Sequence, residues 1–358
     1  MKISMIIPTR GRVSYLKRCI ESIENQTEFP YELIVILHEH DIDSKEFIKN
    51  ISTKLNIKYI ETNGGNCKSR NVGIDYSSGD ILAFIDDDDI LEENYIKNLS
   101  MIFKENKINV VAGYTFDIGV LITPWYMSKD ELEYIYNRRD NKFYQLIIEE
   151  ISKRSLGKIK LDLKYIKGKK LKVYGLLKNI RDLFKSMIIQ EWPIKGKILP
   201  SGYRSAFYNI TELKELKKIE WVAGNNFAVR KNIIDKFRFN EKMELLPYAL
   251  CEDLELSARI GKEYEIFSSP DILVFHLSSP LGIRINQRER FKSMIVNYYR
   301  IAIIRGNKVA YWWSVIGLLV TRIFKVPFSY SVAISEIKGI LDGIKYLKEN
   351  DLNDAIAT

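Results

Sequence analysis

The stretch "AFIDDDDILEE", residues 83–93, sets four consecutive aspartates directly behind an apolar run. Each ionised neighbour makes the next one harder to ionise, so such a cluster needs compensation. Oxygen-only ligands with open positions suit Mg2+ or Mn2+, above all where a substrate brings phosphates. The competing reading is a solvated loop that starts a helix, since "DDDILEENYIKNL" carries acids where a first helical turn favours them. Far downstream, "CEDLELSARIGKE" (251–263) offers Glu252 and Asp253, either a positioned carboxylate base or an ordinary acidic helix start. His276 in "VFHLSSP" is a metal-ligand candidate or a structural histidine, and Arg70 a phosphate contact or a surface ion pair. Asn225 and Asn226 in "GNNFAVR" are polar ligand contacts or a polar turn before a strand.

The elements that must position these groups are legible in the first third. "ISMIIP" (3–8), "YELIVIL" (31–37), "ILAFI" (81–85) and "VVAGYTF" (110–116) have the length and apolar character of strands, and "IKYIET" (57–62) falls in the same series. Helical spacing joins Val13, Leu16, Cys19, Ile20 and Ile23, and a glycine turn opens a second helix near Cys67. Repeated β-α-β units with such strands imply a parallel sheet covered on both faces. The aspartates then sit at the carboxyl end of a strand, where open α/β sheets bind ligands.

Beyond residue 117 the strand rhythm stops. Residues 151–200 hold 14 Lys and Arg against 3 Asp and Glu, whereas the whole chain of 358 residues is only +9. The clearest helix there, "LKVYGLLKNIRDLFKSMIIQEW" (171–192), is basic on one face and apolar on the other. Strand and loop character returns at 219–231, and from about 286 the chain reads as helical and rich in Tyr and Trp. Three scattered cysteines without a C-x-x-C pair signal neither a zinc site nor a disulfide framework. The N-terminus lacks a signal-peptide pattern, and the longest apolar run, 309–320, is short for a bilayer span.

"SMIIPTRGR", "NGGNCKSRNVGI" and "GDILAFIDDDDIL" occur in the order and spacing of the inverting family 2 glycosyltransferases, which the sequence resembles. The middle segment is similar to the family's "N-x-G-x-x-x-A-R-N-x-G" pattern through Arg70, Asn71 and Gly73. The last resembles its "D-x-D" motif through Asp86 and Asp88. "CEDLELSAR" resembles the "E-D-x-D-L-x-x-R" segment through Glu252, Asp253 and Arg259, and His276 its late histidine.

The resemblance implies a GT-A-type nucleotide-sugar-binding fold, α/β with a mostly parallel mixed central sheet flanked by helices. It implies Mn2+ or Mg2+ held by Asp88 and His276, with Asp86 or Asp87 reaching the ribose. Pro8, Thr9 and Arg10 would contact the base, Arg70 the nucleotide, and Asn225 the sugar. Asp253 would be the general base, with Glu252 orienting it or holding the acceptor. The expected division is 1–117 and 219–285 as the two halves of the catalytic domain, 118–218 as a basic helical insertion, and 286–358 as a C-terminal helical region.

One departure concerns base recognition. Where the family ends its second strand on an aspartate, this chain has Leu37, which cannot accept a hydrogen bond. Either Glu39 or Asp41 replaces it from the loop, or recognition is altered. The basic insertion is a solvated face or a membrane-surface patch; nucleic acid is disfavoured, because no recognition module accompanies it. The C-terminal Trp and Tyr favour the membrane.

The sequence therefore points to transfer of a hexose-type sugar from a nucleoside diphosphate sugar to a glycan or lipid-linked glycan, at the cytoplasmic face of the cell membrane. A sugar nucleotidyltransferase would need a better glycine-rich phosphate loop than "PTRGRVS". A catalytically silent scaffold with the same fold is the remaining alternative.

Overall fold

A computed structural model describes residues 1–105, 107–117, 128–154, 194–245, 249–279, 286–326 and 329–350. The helix expected at 171–192 lies outside these residues. Nine strands form one sheet in the order β3-β2-β1-β4-β8-β6-β9-β5, with β7 also paired to β9. They are β1 Ile3–Thr9, β2 Glu32–His38, β3 Ile57–Thr62, β4 Ile81–Ile85, β5 Asp89–Leu91, β6 Val110–Asp117, β7 Lys217–Ile219, β8 Asn226–Arg230 and β9 Ile266–His276. β3, β2, β1 and β4 run parallel to their neighbours, while β8 lies antiparallel between β4 and β6. The sheet is thus mixed and mostly parallel, as the sequence implied.

The apolar strands are buried because helices cover both faces. On one face, Val13–Glu24 (α1) and Tyr95–Glu105 (α4) pack with the odd-numbered side chains of β1, Ile3, Met5 and Ile7. On the other, Asn66–Tyr76 (α3), Glu252–Ile260 and Gln287–Arg305 pack with Ile6, Phe84 and Phe227. Period-two alternation in β1 therefore feeds two cores. Gly73 lets α3 close on the sheet, since a Cβ there would lie 2.5 Å from Ile6 Cγ2.

Two local expectations fail. Ile42–Asn50 forms a helix that the sequence pattern did not reveal, because only Ser44 and Ile48 of it are buried. Asp89 does not cap a helix: it opens β5, whose residues pair antiparallel with the end of β9, and the helix begins only at Tyr95. Strand pairing with a segment nearly two hundred residues away outweighed the local helix-start signal.

Two helices between residues 129 and 154 pack into this body. Leu132, Ile135, Phe143 and Ile147, from helices Lys129–Tyr136 and Lys142–Arg154, share a core with Phe116 and Phe275. The C-terminal helices Lys308–Lys325 and Tyr330–Glu349 lie against Gln287–Arg305 and complete the opposite face, where Tyr311, Val315 and Ile340 are buried. Among the described residues, no helix is long and apolar enough to cross a membrane.

Candidate active site

The carboxyl ends of β1 and β4 bring Thr9, Arg12 and the aspartate run together. Asp87 is fully buried: its Oδ2 accepts from Thr9 Oγ1 at 2.5 Å and Arg12 Nε at 3.1 Å, and Arg12 Nη2 lies 2.6 Å from its other oxygen. Burial raises its pKa to about 7 even though Arg12 opposes the shift. Asp87 therefore does not face a ribose, contrary to expectation; a carboxylate locked between Thr9 and Arg12 organises the loop instead. Asp86, about a quarter exposed, is the member of the run open to solvent.

Asp88, Asp89 and His276 form one cluster whose ligand atoms lie within 4.8 Å of one another. The end of β9 carries His276 to Asp89, with Nδ1 2.7 Å from Asp89 Oδ1 and 3.6 Å from Asp88 Oδ1. Asn225 Nδ2 donates to Asp89 Oδ1 at 3.1 Å, and the Asp86 backbone N–H donates to Asp89 Oδ2. The Ser279 N–H donates to Asp88 Oδ2 at 2.7 Å. Asp88 Oδ1 is buried and accepts no hydrogen bond.

Burial opposes charge here, yet opposite charges decide two of the three groups. The Asp88 carboxyl is held below its usual range by His276 and Arg12 against the effect of burial. Asp89 is pushed up to about 7 because burial outweighs His276. His276 is driven up to about 10, since Asp89 and Asp88 overcome its desolvation. An orphaned buried carboxylate oxygen beside a second carboxylate and an imidazole fits a divalent cation in donor type. The expected pair Asp88 and His276 is brought together, and Asp89 joins it.

A second lattice links this cluster to the downstream acids. Arg70 is 1% exposed, so it is no surface ion pair. Its Nη1 donates to Glu252 Oε1 at 2.6 Å, and its Nη2 to Asp86 Oδ1 at 3.1 Å and to the Gly224 carbonyl at 3.2 Å. Asn71 completes the joint, donating to the Phe239 carbonyl and accepting the Phe239 N–H. The "RN-x-G" segment thus ties the 66–76 helix to residues 224, 239 and 252. Arg70 positions carboxylates, whereas the resemblance implied a nucleotide contact; its guanidinium is sealed against Asp86 and Glu252.

Asp253 is half-buried, with Oδ2 accepting the Gly224 N–H at 2.9 Å and Oδ1 the Leu254 N–H at 2.8 Å. Both oxygens keep lone pairs for a substrate hydroxyl. Glu252 is buried on Arg70, and burial lifts its carboxyl to about 7 despite that partner. It is committed to Arg70 and does not hold an acceptor. The preceding Cys251 has φ +64°, a left-handed conformation that costs energy for a residue other than glycine and sets the entry of the Glu252–Ile260 helix.

The remaining sequence candidates separate. Pro8 and Thr9 are buried in β1, Arg10 is exposed, and Asn225 touches the metal-type cluster. Asn226 is fully buried between Tyr95 and the Tyr114 carbonyl, so it is not a sugar contact. Leu37 is buried opposite Thr9. Asp41 is also buried, accepting from the Gly11 and Ser44 N–H groups, while Glu39 lies exposed beside His40. Sequence reasoning missed Arg12 and the role of Asp89. Arg12 stands two residues past Arg10 in the same loop, the only signal that could have found it.

Parts of the chain are similar to known proteins. Residues 4–165 match the family described as Glycosyl transferase family 2. The glycosyltransferase GlyA of Streptococcus pneumoniae is 24% identical over 270 residues, 74% of this chain and 36% of that protein. The poly(ribitol-phosphate) beta-N-acetylglucosaminyltransferase TarP of Staphylococcus aureus is 35% identical over 118 residues, 31% of this chain and 36% of TarP. The alignments thus span about a third of the length of these two relatives. A crystal structure of S. aureus TarS 1–349 aligns over 92% of this chain and 73% of its own, at TM-score 0.45 and 14% identity. Residues 4–165, which carry the aspartate run at the end of β4 and Arg70, are thus similar to glycosyl transferase family 2.

Proposed function

We propose that the protein is an inverting, metal-dependent glycosyltransferase that moves a hexose-type sugar from a nucleoside diphosphate sugar to a hydroxyl of a glycan or lipid-linked glycan. The observation that carries this reading is the lattice Asp86–Arg70–Gly224–Asp253, which ties a half-exposed carboxylate to the cation-type cluster. Asp88, Asp89 and His276 would hold Mn2+ or Mg2+, which when bound stabilises the charge growing on the departing diphosphate. Asp86, open to solvent, faces the ribose. Asn225 and Arg12 fix the carboxylates of the cluster in place. Asp253 accepts the proton of the acceptor hydroxyl as its oxygen bonds to the anomeric carbon and the sugar–phosphate bond breaks. Attack from the face opposite the leaving group inverts the anomeric centre.

The names of relatives such as TarP, and of the minor teichoic acid biosynthesis protein GgaB of Bacillus subtilis, favour a cell-envelope polymer as acceptor. A peripheral position at the inner face of the cell membrane fits the C-terminal helix 308–325. Val309, Trp312, Trp313, Ile316, Val320 and Ile323 are exposed at helical spacing, and the helix carries Lys308, Arg322 and Lys325 but no acid. Tryptophan beside basic residues is the composition of an interfacial helix.

Asp253→Asn is expected to lower transfer at least about a hundredfold while Mn2+ and nucleoside diphosphate still raise the melting temperature as in the native protein. Surviving transfer removes Asp253 as the base. Anionic liposomes should float the native protein, and Trp312→Ser/Trp313→Ser should lose at least half of that recovery; equal recovery removes the membrane contact.

A further inference from the structure

A second charged cleft, of about 390 Å³, opens on the far side of the Glu252–Ile260 helix. Arg259, which lines it, lies seven residues beyond Glu252, about 10 Å along the helix. Most of its charges are spoken for. Arg259 grips both oxygens of Glu255 at 2.9 and 2.8 Å, Arg238 pairs with Asp75 at 2.7 Å, and Lys236 pairs with Glu263. Two cations, Arg300 and Lys242, are left over, with one carboxylate, Glu241, that accepts from Asn71 Nδ2. Among the described residues, neither Arg300 nor the exposed Lys242 has a carboxylate within ion-pair distance.

Arg300 is the unusual one. It is only 6% exposed, yet it lines the cleft. One nitrogen, Nη1, donates to the Lys242 carbonyl and to Asn297 Oδ1. Its Nε is buried and meets no acceptor, and no hydrogen bond from Nη2 is formed among the described residues. Burial pulls this guanidinium below its ordinary value, with Tyr346 and Glu255 offsetting part of the loss. A buried cation with an unused Nε edge costs free energy unless an oxyanion completes it. The Nε/Nη2 edge of arginine matches two oxygens of one phosphoryl group, and Lys242 adds a second, mobile charge.

We infer that this cleft is an anion site, separate from the nucleotide-sugar site, which binds a phosphate group against Arg300 and Lys242. A phosphate of that kind is present either as the free ion or as a phosphodiester within an anionic acceptor chain. The inference does not depend on the proposed transfer reaction, because it rests on other residues and on the opposite part of the helix.

Isothermal titration of the full chain with inorganic phosphate and, in parallel, with dimethyl phosphate tests it, each run first without nucleotide and then with a nucleoside diphosphate, UDP as the probe, and Mg2+ present. One equivalent of phosphate is expected to bind, and at least about tenfold more weakly to Arg300→Gln and to Lys242→Glu. Lys242 is exposed, so its variant keeps the test valid if loss of Arg300 impairs folding. Binding of dimethyl phosphate as well assigns the site to a phosphodiester; binding of phosphate alone assigns it to the free ion or a terminal group. Absence of binding, equal affinity in Lys242→Glu, or displacement of phosphate by UDP would overturn the proposal.

Discussion

Two arginines meet different members of the aspartate run, and they do different work. Arg70 is sealed, with 2% of its side chain exposed, and joins Asp86 to Glu252, which lies 182 residues beyond Arg70 in the sequence. Arg12 stands at the rim, a quarter exposed, and reaches Asp87 and Asp88 from the loop after β1. A buried arginine between two carboxylates is a joint whose loss strands the charges it held. A rim arginine can be resolvated, and its field acts mainly on what binds nearby. Burial, more than charge, separates architecture from ligand chemistry here.

Arg70→Met provides the severest test of that contrast. It leaves Glu252 and Asp86 without their partner and is expected to cost about 3–5 kcal/mol, read as a fall in denaturant midpoint. Adding Glu252→Gln should recover part of the loss. A cost near zero for Arg70→Met would make it a ligand-facing residue after all.

Glu32 extends the comparison to a buried acid distant from the site. Its side chain accepts from Ser4 Oγ at 2.6 Å, Lys58 Nζ at 2.6 Å and the Ser78 N–H at 2.7 Å. Despite burial, these donors hold its carboxyl down to about 2. A depressed carboxyl contributes stability that is fully present above its unfolded value near 4.5 and is lost as pH falls through about 2. Glu32→Gln should cost about 1–3 kcal/mol at pH 7. The gap between variant and native protein should narrow when unfolding is followed from pH 5 towards pH 2, and a constant gap would contradict the assignment.

Arg12→Gln is the mildest. Its stability cost is expected at about 1–2 kcal/mol, since solvent reaches Arg12 while the buried Asp87 loses a charged donor. Removing a positive charge 3.2 Å from Asp88 should instead tighten Mn2+ binding by roughly two- to tenfold, measured by titration without nucleotide. Weaker Mn2+ binding would show that Arg12 organises the cluster more than it repels the ion.

How much of this was legible follows from where each partner lies. The five strands of the first third were plain, because a run such as "ILAFI" buries on both faces and needs no alternation. Asp88, Asp253 and His276 were reached through resemblance, since each alone reads equally well as an ordinary acid or a structural histidine. Asp89 was misread because its strand partner is His276, 187 residues away, whereas the local pattern favours a helix start. Helix 42–50 escaped because a short, mostly solvated helix carries little apolar period.

The sequence by itself determined the order of the strands along the chain, the apolar content of the two cores, and the residue types able to hold a cation and take up a proton. Tertiary structure alone decided which of the four aspartates is free. It turned Asp87 inward to Thr9 and Arg12, gave Asp89 to His276 and Asn225, left an oxygen of Asp88 without a hydrogen bond, and exposed Asp86. The reason is physical: adjacent like charges are equivalent along a chain, and only distinct donors, supplied by distant strands and loops, make them unequal.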